Sequence, residues 1–235
     1  MKIIIKSVLR LLIFLIVLST IGACSKKMTK VVCVGDSITY GARLDDRDRY
    51  SYPAQLQLLL GENYAVENFG VGGATLIRKG KPTVWNELRK IKEANPDIIV
   101  ISLGTNDTCG MGTCGDRKCW EYKDEYEADY LDFIDELSKL TSKPQIFLCA
   151  PSPMVLETPG LKRERIEGLI TRKPRLQELI GMIKDVVKEK NIKFIDLNIP
   201  LARKPELFTE EDGVHPNRAG YKVIAELVFA ALKKN

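Results

Sequence analysis

The chain has 235 residues, 45% of them hydrophobic, with both charge signs mixed throughout. That composition supports one globular domain with a sizeable core, and no internal repeat or low-complexity stretch interrupts it. The formal charge of +5 includes Lys2, Lys6 and Arg10; without them 33 basic residues stand against 31 acidic ones, about +2, which gives no case for nucleic-acid binding.

Residues 1–23 read as a secretory signal. A basic start leads into the uncharged run LLIFLIVLSTI, and small residues come next, before Cys24. The apolar run is shorter than the ~20 residues that span a bilayer as a helix; a retained membrane anchor that also uses the flanks is the alternative. Ile21-Gly22-Ala23-Cys24 resembles a bacterial lipobox. That resemblance implies cleavage before Cys24, acylation of Cys24 and a lipidated tether over residues 24–30. The product would be an exported lipoprotein held on a membrane, at the periplasmic or cell-surface face.

Beyond the tether, residues 31–235 alternate between strand and helix patterns. The strand-like runs are Lys30–Val34, Tyr64–Phe69, Asp97–Leu103, Gln145–Ala150 and Ile192–Leu197. They are short, mostly apolar and rich in Val and Ile, as strands covered on both faces are. Helical spacing runs through Tyr52–Leu60, Thr83–Ala94, Tyr122–Leu140, Arg175–Lys190 and Pro216–Lys233. In Tyr122–Leu140 the aromatic and aliphatic residues recur at threes and fours, so core packing accounts for most of its tyrosines. Pro153–Arg175 reads as a lid or a surface excursion. This alternation predicts an α/β fold with a parallel sheet and helices on both faces, and it directs attention to the carboxyl ends of the strands.

Polar and glycine-rich segments stand at those ends. Gly35-Asp36-Ser37-Ile38-Thr39 comes after the first strand, Asn68-Phe69-Gly70-Val71-Gly72-Gly73-Ala74-Thr75 after the second and Gly104-Thr105-Asn106-Asp107 after the third; Asp212-Gly213-Val214-His215-Pro216-Asn217 precedes the last helix. Each has a plain structural reading. Ser37 fits a helix N-cap, the glycines fit turns, and Asp212-Gly213 is a turn dipeptide. Acyl transfer to a serine explains all of them together. It needs a nucleophile, a base, a group that orients the base, and donors for an oxyanion. Ser37 can be the nucleophile. The chain holds one histidine, His215, so an imidazole base must be that residue. Asp212, three positions upstream, can reach its Nδ1 in a turn. The Ser37 and Gly73 backbone N–H groups and the Asn106 amide can face one oxygen.

GDSIT, NFGVGGAT, GTND and DGVHPN, in that order, resemble the four blocks of the SGNH (GDSL-type) hydrolases, over about Val31 to Tyr221. The resemblance implies a three-layer, flavodoxin-like fold with strand order 2-1-3-4-5. It also implies Ser37, Asp212 and His215 as the triad, with Ser37, Gly73 and Asn106 as the oxyanion hole. No G-x-S-x-G elbow is present, which argues against the α/β-hydrolase fold. The stretches Gly73–Pro82 with Trp85, and Trp120–Tyr126, are similar to bacterial sialate O-acetylesterases and related carbohydrate acetylesterases. That implies O-acetylated carbohydrate as substrate, with Asp36, Arg78, Trp85 and Trp120 as candidate contacts. No cofactor or metal is implied. A lysophospholipase or thioesterase of the same fold, or a non-catalytic sugar-binding lipoprotein, are the other readings.

The loop CGMGTCGDRKC carries Cys109, Cys114 and Cys119. One disulfide among the three is expected in an exported protein, with the pairing open. The loop departs from similar proteins and begins three residues past Asn106, so it either shapes the substrate pocket or is a stapled surface insertion. Cys33 and Cys149 sit in apolar runs and read as small buried residues.

Overall fold

The computed structural model describes residues 27–234. The predicted signal, the Cys24 lipidation site and the start of the tether lie outside the described residues. Five strands form the sheet: β1 (Thr29–Gly35), β2 (Tyr64–Gly70), β3 (Ile98–Ser102), β4 (Gln145–Ala150) and β5 (Lys193–Asp196). All pairs are parallel, in the order β2-β1-β3-β4-β5. β1 starts inside the predicted tether, with Thr29 and Lys30 paired to Tyr64 and Ala65. Lys30 N–H also donates to Asp97 Oδ2 at 2.8 Å.

The helices are α1 (Ser37–Tyr40), α2 (Arg47–Tyr50), α3 (Tyr52–Leu60), α4 (Leu88–Ala94), α5 (Tyr126–Ser138), α6 (Arg163–Lys190) and α7 (Arg218–Lys233). None of the described helices is long and apolar enough to cross a membrane.

Side chains of a strand point alternately to its two faces, and here each face has its own core. Val31 and Cys33 of β1, Val100 of β3, and Phe147 and Cys149 of β4 pack with Leu56 of α3 and Tyr221, Ile224 and Val228 of α7. Val32, Val34, Ile99, Ile101, Ile146 and Leu148 face the other way, onto Ile91 of α4 and Tyr126, Tyr130 and Phe133 of α5. The register sets Val32 beside Ile99 and Cys33 beside Val100, so both layers stay continuous across the sheet. Cys33 and Cys149 are buried and free.

Three elements differ from the expectation. Thr83–Ala94 is a 3-10 turn, Val84–Glu87, leading into α4, and Tyr122–Leu140 divides likewise into a 3-10 turn, Cys119–Glu125, and α5. Tyr122 breaks the helical path with φ −110° and ψ 19°. The chain enters here from a loop pinned by Trp120 N–H on the Cys109 carbonyl at 2.8 Å. The third difference is α6, which continues upstream of Arg175, through Pro174. A proline inside a helix removes one N–H, and it ordinarily marks a boundary. The carbonyl that loses its donor belongs to Ile170, an exposed residue. Of the remaining predicted segment before α6, Pro153, Met154 and Val155 are buried while residues 156–162 lie largely at the surface, and Val155 N–H donates to the Gly213 carbonyl at 2.8 Å. Residues 153–155 are a strut under the loop before α7.

The end of β2 abuts the backbone of α1. A Cβ at Gly70 would fall 2.0 Å from the Tyr40 nitrogen and 2.5 Å from the Thr39 carbonyl carbon. Backbone cannot swing aside as a side chain can. Gly70→Ala is therefore expected to cost about 3 kcal/mol or more, read as a lower midpoint in urea unfolding; an unchanged midpoint would show that the two backbones separate at little cost.

Candidate active site

The order β2-β1-β3-β4-β5 places the topological switch between β1 and β3, where open parallel sheets form crevices at their carboxyl ends. Ser37 lies just past β1 and Asn106 just past β3, so both stand at that crevice.

The N-cap of α1 is Asp36. Its backbone is extended, and its Oδ1 accepts the Ile38 N–H at 2.9 Å. The plain reading of Ser37 as a cap is therefore corrected: a short carboxylate one position earlier does that work. The half-buried Ser37 hydroxyl lies 2.8 Å from His215 Nε2. His215 Nδ1 lies 2.6 Å from Asp212 Oδ2. The other oxygen of Asp212 accepts the Val214 and His215 backbone N–H groups, each at 2.9 Å. Burial works against the charge of this carboxyl, but the His215 ring and the two amides outweigh it and hold Asp212 well below the ordinary carboxylate range. An ionised Asp212 only accepts, so Nδ1 carries the proton and donates. Nε2 then presents a lone pair to the Ser37 hydroxyl.

Gly73 and Asn106 are linked to this region through Asp36 and Ala74. Gly73 occupies the turn closed by Ala74 N–H on the Val71 carbonyl at 3.0 Å. Its φ of +77° is one that side chains rarely adopt. Asn106 Nδ2 donates to the Ala74 carbonyl at 3.1 Å and to Asp36 Oδ2 at 3.4 Å. The structure thus joins Ser37, His215 and Asp212 in one line, and ties Asn106 to the Gly73 turn and to the cap beside Ser37.

Asp107, next to Asn106, is fully buried. Its carboxylate accepts the Leu76 N–H at 3.0 Å and the Ile77 N–H at 2.9 Å, which fixes the bend after Gly73. Burial pushes Asp107 up to about 7, against the pull of those amides. Burial likewise pushes Asp36 up to about 6, against the Ile38 amide and His215. Both groups hold protons more tightly folded than unfolded. Their stabilising protonated forms are present below the usual 3.8 and are lost as pH rises toward about 7. Asp212 acts in the opposite sense, and only at lower pH. Melting temperature is expected to fall from about pH 5 to about pH 8, and Asp107→Asn to flatten much of that fall; a parallel slope in wild type and variant, by calorimetry, would remove Asp107 as its source.

Each of the four proposed substrate contacts also has partners within the protein. Asp36 is 2% exposed and occupied by its cap bond. Arg78 pairs with Asp129 and Asp132 and stacks at 3.7 Å over Trp85. That covers one face of Trp85, whose ring packs edge-to-face with Phe133, centroids 5.1 Å apart, and whose Nε1 donates to the Leu76 carbonyl. Trp120 lies beneath the cations Arg175 and Lys123. None of the four lines the nearby cavity of about 440 Å³, which is formed by Lys79, Lys81, Arg117, Lys118, Tyr122 and their neighbours.

The three-cysteine loop pairs Cys109 with Cys114 and leaves Cys119 buried and free. Sequence reasoning missed the arginines around it. Arg117 Nη1 donates to Asn106 Oδ1 at 3.1 Å and Nη2 to the Gly73 carbonyl at 2.7 Å. From α6, Arg172 donates to the Thr105 carbonyl and Thr108 hydroxyl, Arg175 to the Thr108 and Gly110 carbonyls, and Arg165 to the Asp212 carbonyl. Burial and the nearby Arg165 and Arg117 push Arg172 down to about 10. The visible signal was the density of arginine over 163–175, which reads as solvated surface until the helix is placed against the loops.

A serine–imidazole–carboxylate line at the carboxyl end of a five-stranded parallel sheet is an architecture of carboxylic ester hydrolases. Within that class the chain belongs to the GDSL-like lipase/acylhydrolase family, whose sequence model matches residues 33–223. It is 32% identical to an acetylxylan esterase of Xylanibacter ruminicola, over 92% of this chain and 45% of that protein. The chain thus spans less than half the length of that relative. Among solved structures it resembles a lipase/acylhydrolase from Enterococcus faecalis (TM-score 0.64, 23% identity, 88% of this chain and 96% of that one). It also resembles a carbohydrate acetylesterase from Sinorhizobium meliloti (TM-score 0.63, 17% identity, 88% and 99%). At these identities the two structures speak for the fold.

Proposed function

We propose that this protein removes O-acetyl groups from carbohydrates, with Ser37 as nucleophile, His215 as base and Asp212 as the group that orients it. The observation that carries the reading is the continuous line from Ser37 Oγ to His215 Nε2 at 2.8 Å and from Nδ1 to Asp212 at 2.6 Å. The likeness to an acetylxylan esterase supports the acetyl group and a glycan carrier. Sialic acid is a narrower candidate, resting on the resemblance of residues 73–85 and 120–126.

In this mechanism Oγ attacks the acetyl carbonyl while Nε2 takes the hydroxyl proton. The carbonyl oxygen, now an oxyanion, is met by the Ser37 and Gly73 N–H groups and an Asn106 amide N–H. The sugar hydroxyl leaves with the proton from His215, and the acetyl group stays on Ser37. Water, deprotonated by His215, attacks that ester and releases acetate. The cavity beside Arg117 has the volume of an ordinary ligand site and offers room for the glycan.

The test is acetate release from acetylated xylan, O-acetylated sialic acid and p-nitrophenyl acetate, with long-chain acyl esters in parallel. Release from either glycan supports the reading, and the better one names the carrier. Cleavage confined to long-chain esters would move the protein to the lysophospholipase or thioesterase reading. Inertness on every ester would favour sugar binding without catalysis. Attachment to a membrane through lipid on Cys24 belongs to the same proposal and rests on the lipobox. Palmitate labelling of expressing bacteria should mark the protein and be lost in Cys24→Ser; equal labelling of both would remove the anchor.

A further inference from the structure

We propose that Arg117, carried by the disulfide-stapled loop, is a positioning residue that sets both oxyanion donors contributed from outside Ser37. The inference rests on the ester-hydrolase reading of the site. Its basis is one guanidinium bridging two separate loops. Nη1 holds the carbonyl oxygen of the Asn106 side chain at 3.1 Å, and Nη2 holds the Gly73 main-chain carbonyl at 2.7 Å.

The bridge has two physical effects. An asparagine amide can flip, exchanging its oxygen and nitrogen at small cost. With Oδ1 taken by Arg117, Nδ2 is the atom turned toward Ala74 and Asp36, the side next to Ser37. A cation on the amide oxygen also draws electron density from the amide nitrogen, so its N–H becomes a stronger donor. At Gly73 the contact reinforces the turn closed by Ala74 N–H on the Val71 carbonyl, and so helps to hold the φ of +77° and the direction of the Gly73 N–H. A Cβ on Gly73 would lie 3.6 Å from Arg117 Nη1, an ordinary contact, so it is the positive φ and not lack of room that calls for glycine here.

The loop is built to present that side chain. The Cys109–Cys114 disulfide closes its first half, Gly110 and Thr113 exchange backbone hydrogen bonds at 3.2 Å, and Trp120 N–H returns to the Cys109 carbonyl. Arg175 grips the Thr108 and Gly110 carbonyls from α6. The arrangement is not the cheapest for stability, since Arg117 Nε is buried without a protein partner among the described residues. A buried donor left unpaired while the rest of the side chain reaches the site loops is consistent with a functional constraint. The three-cysteine loop therefore reaches the reaction through Arg117.

The experiment compares wild type, Arg117→Gln, Arg117→Ala and Ser37→Ala on p-nitrophenyl acetate, each first checked for an unchanged melting temperature. Arg117→Gln is expected to lower kcat by about 10- to 100-fold with KM within about twofold, because the lost alignment is felt in the transition state. Millimolar guanidinium should restore part of kcat to Arg117→Ala and none to Ser37→Ala. Reducing the disulfide should slow wild type and leave Arg117→Gln nearly unchanged, since the bridge acts through that side chain. Full kcat in Arg117→Gln while Ser37→Ala is dead would overturn the role of Arg117 and leave the ester-hydrolase reading standing. An active Ser37→Ala would overturn the reading itself. A rise in KM alone would make Arg117 a substrate contact and end the positioning proposal.

Discussion

Ser37→Ala is expected to lower kcat on p-nitrophenyl acetate by about a million-fold, close to the whole contribution of a serine–histidine pair. The reason is geometric. The Ser37 hydroxyl stands 2.8 Å from the imidazole nitrogen whose lone pair is free to take a proton. Removing it leaves His215 and the oxyanion donors in position with nothing to acylate. What survives should be a slow reaction of water, still about 10³-fold above the uncatalysed rate because the oxyanion donors remain. The fold should be unaffected, since Asp36 and not Ser37 caps the helix. The decisive check is a stoichiometric burst of p-nitrophenol in wild type that is absent from the variant. A variant retaining more than about a tenth of wild-type kcat would mean that acyl transfer passes through another group.

The second large effect belongs to Asp212. Asp212→Asn keeps an oxygen for the Val214 and His215 amides, so the turn should survive. The amide nitrogen, however, can donate to Nδ1, which favours the tautomer with its proton on Nε2. That proton then points at the Ser37 hydroxyl, and the base is lost. A fall in kcat of about 10⁴ at neutral pH is expected, with KM little changed. Proton NMR supplies an independent check: the Nδ1–H signal, expected far downfield for a 2.6 Å contact to a carboxylate, should disappear. A variant within about tenfold of wild type would show that the orientation of His215 is fixed by something else.

The sheet was legible because its strands are doubly covered. Runs such as VVCV and IIVIS need no alternation to be recognised, and the glycines and prolines beyond them mark the ends. The helix starts were less legible. A spacing of threes and fours fits a 3-10 turn as well as an α-helix, so Tyr122 looked like the first turn of α5 when the loop still governs its backbone. Pro174 hid the first half of α6 for the same reason that proline usually ends helices.

At the site, the residues that sequence reasoning singled out stand next to turns whose composition is distinctive. Arg117 carries no such mark. It acts on Gly73, 44 positions away, and only the packing of two loops reveals it. Arg78, Trp85 and Trp120 were singled out for a chemistry that suits a sugar, and only the structure shows the charges and rings that they also pack against.

The five strands are complete at Asp196, whereas the imidazole arrives at position 215. During synthesis, therefore, a chain can finish its sheet and still hold no base, and the partner Ser37 has waited since 178 residues earlier. Structure and reactivity are separate events in the life of this molecule. On the proposed mechanism, an unfinished copy would display its serine but could not use it.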